Sequence, residues 1–155
     1  MSAETLLAAA RARLPAADVR LEAGELALRC EAEALRGLLR ALRDELGFDH
    51  LPFLTALDRP AENRLEAVYR LFSYSAKAAA MVRVRLPRGA ASLPTVSDLY
   101  RTAEWHEREA AEMFGITFQG HPDPRRLLSP DGLEGYPLRK DFTHPNLRPL
   151  PEAGR

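Results

Sequence analysis

A chain of 155 residues, 46% apolar and 28% charged, has the make-up of one globular domain that can bury most of its surface without cross-links. Twenty-two basic against 22 acidic side chains give no electrostatic case for a nucleic-acid or membrane-surface binder, and the single cysteine, Cys30, excludes an internal disulfide and a cysteine-ligated zinc or iron–sulfur site. No apolar run approaches the roughly 18 residues that cross a bilayer, and the N-terminus lacks the basic flank and hydrophobic stretch of a signal peptide, so the chain is expected to stay on the cytoplasmic side.

From Ala3 to Leu14, Leu6, Leu7, Ala10 and Leu14 recur at helical spacing, with Ser2 placed to cap the first turn and Pro15 to end the pattern. Asp18 to Cys30 alternates through Val19, Leu21, Leu26 and Leu28 about Ala23-Gly24, which predicts a two-strand hairpin. A second helix follows, its stripe of Ala34, Leu35, Leu38, Leu39, Leu42 and Leu46 closed by Gly47. Phe48–Leu57, Leu65–Ser73 and Ala79–Leu86 read as three further strands. Pro52 cannot donate to a ladder, so the first of these is expected at a sheet edge or with an irregular start. Thr95, three residues before Asp98, suggests a capping box opening a helix from about Ser97 to Phe114, with Glu104 and Arg108 spaced for an i,i+4 pair and Gly115 as its stop. The order helix, hairpin, helix, three strands, helix predicts an α+β domain over residues 1–119, a mainly antiparallel sheet with helices packed on one face.

Residues 120–155 are different. Seven of the twelve prolines fall there, a density that no helix or central strand survives. Yet Leu127, Leu128, Leu133, Tyr136, Leu138, Phe142, Leu147 and Leu150 are interleaved with Arg125, Arg126, Arg139 and Lys140, which is not the composition of a disordered linker. The expectation is a long, extended, proline-rich C-terminal arm that docks on a partner protein, with wrapping back over its own sheet as the alternative.

Candidate chemistry is sparse. His50, His106, His121 and His144 stand in no ligand spacing. His106 and Glu109 share a helix face at i,i+3 but lack a second such pair. Glu104, Glu107, Glu109 and Glu112 crowd one short helix with Arg108, Arg125 and Arg126 near enough in sequence to neutralise them. No nucleophile elbow, Gly-rich dinucleotide fingerprint or P-loop occurs. An assembly subunit fits better than an enzyme, although a free-standing acid/base enzyme using Glu109 and His106 stays as an alternative.

One stretch is specific. Glu107-Arg108-Glu109-Ala110-Ala111-Glu112-Met113-Phe114, then His121, Arg125, Arg126 and Leu127, resembles the signature of the 30 kDa subunit (the C subunit) of respiratory complex I, the NADH-quinone oxidoreductase. Ala103-Glu104-Trp105-His106 before it and the nine residues Glu134 to Phe142 after it, with Tyr136, Leu138, Arg139, Lys140 and Asp141, resemble the same family, as do Leu54–Asp58 and Val68–Ser73. Glu112 stands where the family more commonly has Asp, Ala111 where a bulkier residue is frequent, and Phe53 where Asp is frequent.

The resemblance implies a non-catalytic subunit in the hydrophilic peripheral sector of a proton-translocating NADH:quinone oxidoreductase, on the cytoplasmic side of the inner membrane. It implies packing beside the large (49 kDa-type) quinone-site subunit and neighbouring iron–sulfur subunits, with membrane contact only through the complex. NADH, FMN, iron–sulfur clusters and quinone are then expected in the complex and none on this chain. The motif residues are expected at the partner interface. On physical grounds the run Glu107-Arg108-Glu109, next to Gly115 and Arg125-Arg126, is expected to build a charge network that pins the root of the arm, with Tyr136 and Phe142 as the aromatic anchors. The equivalent subunit of a membrane-bound [NiFe]-hydrogenase or another quinone oxidoreductase is the close alternative.

Overall fold

The computed structural model describes residues 2–147; Pro149, Leu150 and Pro151 of the expected arm lie outside the described residues. Helix α1, Ala3–Arg13, starts where Ser2 accepts the Thr5 N–H through its side chain. A hairpin follows, β1 (Asp18–Glu22) and β2 (Glu25–Cys30), turning at Ala23 and Gly24, both with positive φ, as a tight two-residue turn between right-twisted strands requires. In α2, Ala32–Leu46, the leucines at 35, 38, 39, 42 and 46 are buried on one stripe, and Gly47 ends the helix in the left-handed region.

Strands β3 (His50–Arg59), β4 (Arg64–Ser73) and β5 (Ala78–Pro87) complete a five-stranded sheet in the order β1-β2-β5-β4-β3. Every neighbouring pair is antiparallel except β2 and β5. As Pro52 suggested, β3 lies at an edge and its register shifts between His50 and Phe53. Leu65, Ala67, Tyr69 and Leu71 of β4 point into the core under the helices, while Glu66, Val68 and Arg70 point to the other face. This is the α+β fold expected, a mainly antiparallel sheet with helices on one side.

The third helix departs from expectation. It runs Ala103–Phe114 (α3), six residues shorter at its start than the reading from Ser97. Thr95 and Asp98 do not cap it, because tertiary partners take their side chains: Thr95 donates to Glu107 and Asp98 pairs with Arg36 of α2. Between them and the helix, Tyr100 is buried and its hydroxyl reaches the carbonyls of Leu39 and Phe48, at 3.2 and 2.8 Å. Two strands escaped the sequence, β6 (Ser92–Pro94) and β7 (Thr117–Gln119), a parallel pair that brackets α3. Beyond β7, residues 120–147 contain no helix or strand.

Candidate functional site

Helix α3 presents three functional sides. Inward, Glu107 is fully buried, its carboxylate accepting the Val96 N–H at 2.8 Å and the Thr95 hydroxyl. Burial pushes this carboxyl above its ordinary value, and the Thr95 and Val96 hydrogen bonds only partly oppose it. His121 lies 3.7 Å from it. The ring accepts the Asp123 N–H at Nδ1, which leaves Nε2 to donate to the Glu104 carbonyl at 2.9 Å.

Along its flank, α3 holds the root of the arm. Arg108 donates to the backbone carbonyls of Arg125 and Arg126, at 2.9 and 3.0 Å, approaches Asp123 at 3.4 Å, and lies over the Trp105 ring. Glu112 accepts the N–H groups of Leu127, Leu128 and Ser129 at 3.1, 2.9 and 2.6 Å. Burial acts against its charge, but the hydrogen bonds from Leu128, Ser129 and Leu127 outweigh it and bring the carboxyl down to about 2. The expected neutralisation of these glutamates by arginines is not what forms. Arg125 turns to Asp123, Arg126 to the Pro130 carbonyl, and Arg108 pairs with Asp123 in place of Glu104. The physical reason is local: a chain that turns back on itself offers three convergent N–H donors, a better match to one carboxylate than a mobile guanidinium.

Farther on, a second set of contacts fastens the arm to the same domain. The Tyr136 ring lies on Gly115, where a Cβ would come within 2.5 Å of it. Leu138 donates its N–H to the Met113 carbonyl, and Arg139 donates to the carbonyls of Phe114 and Arg88 while its guanidinium covers the Tyr136 ring at 4.6 Å. Asp58, buried at the end of β3, holds Arg88 through two hydrogen bonds of 2.7 and 2.9 Å and accepts the Lys140 N–H at 2.8 Å. Arg88 in turn grips Asp141 at 3.0 and 2.7 Å. Arg88 keeps the Asp58 carboxyl down at about 2 although burial opposes its charge. Phe142 packs on Gly135 and stacks on His144.

Outward, Trp105 is 58% exposed and Glu109 is exposed on the next turn, with no ion pair among the described residues. Leu128, Tyr136 and Leu138 are also exposed, at 63, 42 and 52%. The structure therefore gathers Glu107, Arg108, Glu112, His121, Arg125 and Arg126 at the root, and Tyr136 to Asp141 at the latch. It leaves Trp105 and Glu109 facing solvent. Asp58 and Arg88, 30 residues apart, were not picked out as site residues; the sequence signal for Asp58 was its place at the end of the family-like Leu54–Asp58 strand. Thr95 was visible but assigned to a helix cap. His106 and Glu109 do not line the cavity of about 770 Å³ that lies between Arg36, Thr95, Arg101, Glu104 and Gly120. Among the described residues no group of three or more His, Cys, Asp or Glu is placed to hold a metal ion.

Residues 28–147 match the family described as "Respiratory-chain NADH dehydrogenase, 30 Kd subunit". The C subunit of the NADH-quinone oxidoreductase of Moorella thermoacetica is 43% identical over 105 residues, 68% of this chain and 71% of that protein. Its counterpart from Chlorobium phaeobacteroides is 46% identical over 99 residues, 63% of this chain and 60% of that protein, so the match takes in less than two thirds of that relative's length. The C subunit of the F(420)H(2) dehydrogenase of Methanosarcina mazei is 41% identical over 102 residues, 65% of each protein. Among solved structures, a chain of the membrane-bound sulfane sulfur reductase, an archaeal respiratory membrane complex, superposes with a TM-score of 0.83 at 33% identity, covering 90% of this chain and 85% of that one. A trypsin-resistant fragment of Nqo5 gives 0.66 at 32% identity, covering 79% of this chain and 99% of the fragment. By sequence and by fold, the chain belongs to the 30 Kd subunit family of the respiratory-chain NADH dehydrogenase.

Proposed function

We propose that this chain is a non-catalytic structural and assembly subunit of the hydrophilic peripheral sector of a proton-translocating NADH:quinone oxidoreductase, docked on the large quinone-site subunit beside the iron–sulfur subunits. The observation that carries this reading is the outer surface of α3 and the arm. Trp105, Leu128, Tyr136 and Leu138 are exposed there although the backbone beneath them is fixed, and a large aromatic held in place but left open is what an interface anchor looks like. On this reading NADH, FMN, the iron–sulfur clusters and quinone sit on other subunits. The chain reaches the membrane, on its cytoplasmic face, only through the complex, in keeping with the lack, among the described residues, of a helix long and apolar enough to cross it.

Co-expression with the large subunit tests the proposal. Truncation after Gly120, which spares β7, is expected to abolish stoichiometric co-purification, and so is Glu109→Ala, whose exposed site leaves the fold unchanged by circular dichroism. Undiminished binding by the truncated chain would overturn the docking role.

A second reading keeps the role and changes the electron donor. The likeness to an F(420)H(2) dehydrogenase subunit and to a sulfane sulfur reductase chain favours a module shared among complexes, membrane-bound [NiFe]-hydrogenases included. The donor oxidised by the purified complex decides between the two.

A further inference from the structure

The helices cover one face of the sheet; the other carries an unusual charge arrangement. Arg29 of β2 stands in register with Arg83 of the parallel strand β5, and Arg85 lies two residues along on the same face. Like charges directly opposite in a ladder work against the sheet. Arg83 approaches Glu66 at 3.6 Å, whereas Arg29 and Arg85 make no ion pair among the described residues. The three arginines line a cavity of about 380 Å³. Its carboxylates are Asp18, already held by Arg20 at 2.8 Å, Glu66, which is buried, and the exposed Glu31. Next to this basic half, Phe53 and Leu57 of β3, 39 and 38% exposed, and Val68 of β4 share the face as an apolar strip interrupted by polar groups: Val68 stands in register with Thr55, Phe53 with Arg70 and Leu57 with Glu66.

We propose that this open sheet face docks a carboxylate-bearing segment of a neighbouring polypeptide, with Asp or Glu side chains on Arg29 and Arg85 and apolar side chains over Phe53 and Leu57. The inference rests on the reading of the chain as a subunit of a complex, but concerns the side of the sheet away from the helices. Guanidinium forks match carboxylates in a bidentate way, an acidic segment removes the Arg29–Arg83 repulsion, and the apolar strip contributes through burial. A polypeptide supplies both kinds of group along one strand of backbone.

The chain contains two lysines, Lys77 and Lys140, which gives a clean background for the test. A tagged Arg29→Lys, Arg85→Lys chain, purified in its assembled complex, is treated with a carbodiimide, which joins an ammonium to a carboxylate in contact, and the products are mapped by mass spectrometry. Links from positions 29 and 85 to Asp or Glu of another subunit are expected, and their yield should fall at least tenfold when Leu57→Glu is added. Links confined to Asp18, Glu31 or Glu66 of the same chain, in a complex that still assembles, would overturn the proposal and leave docking through the arm intact. An unsubstituted chain that joins no complex would overturn both.

Discussion

Glu107 and Glu112 are five residues apart on α3, both with burial opposing their charge, yet their carboxyls move in opposite directions. Two things differ: Glu107 is fully buried whereas Glu112 is only partly so, and Glu107 has one N–H donor, Val96, where Glu112 has three successive arm residues. A carboxyl lowered from the usual 4.5 to about 2 contributes stability above 4.5 that is lost as pH falls toward 2. Glu107, raised, acts with the opposite sign: its contribution is present below its ordinary value and lost as pH rises through the folded one. Protection factors of the Leu127, Leu128 and Ser129 amides, followed by NMR hydrogen exchange, are therefore expected to hold at pH 5 and above and to decline between pH 4.5 and 2. In Glu112→Gln they should be lower throughout and insensitive to pH over that interval. A different residue offers a gain. The Tyr69 hydroxyl is buried with no hydrogen-bonding partner among the described residues, so Tyr69→Phe is expected to raise stability by about 1 kcal/mol in a urea titration. Glutamates crowding one helix were plain in the sequence. Which of them would meet amides and which a hydroxyl was not, since those partners come from chain that folds back only in the tertiary structure.

Helix α3 is ended by a glycine that does two jobs. Gly115 adopts φ 75°, and the bare Cα is the floor on which Tyr136 rests. Gly115→Ala therefore strains the backbone and pushes the ring away. A double-mutant cycle with Tyr136→Ala separates the two: the double variant should be less destabilised than the sum of the singles by about 0.5–1.5 kcal/mol, whereas strict additivity would mean that the ring plays no part. The stop at Gly115 was legible from sequence because left-handed closure is a local requirement. The start of the same helix was not: Thr95 and Asp98 form a capping pattern on paper, but Arg36, 62 residues before Asp98, and Glu107 use those side chains. Three-residue strands such as β6 and β7 are too short to carry a period at all.

Across the whole molecule, Asp58 and Arg88 join the edge of the sheet to the far part of the arm. Asp58→Asn withdraws charge from a buried site that serves both Arg88 and the Lys140 amide, and is expected to cost about 3 kcal/mol and lower Tm by roughly 6–12 °C while exchange at Lys140 accelerates. Unchanged exchange there would mean that the latch is held by Tyr136 and Arg139 alone. Proline spacing predicted no helix or central strand over residues 120–147, and the family-like residues marked the stretch as a candidate interface. That they are fastened at two stations could not be read, because the fasteners, Asp58, Arg88 and Glu112, come from β3, the turn after β5 and α3. This double fastening bears on how association proceeds. Segments that order only at encounter give up chain entropy and show the large heat-capacity change of coupled folding. Tied down at root and latch, residues 121–141 have little left to surrender, so calorimetry on a partner should register two finished surfaces meeting, with an on-rate in the rigid-docking range of about 10⁵–10⁷ M⁻¹s⁻¹.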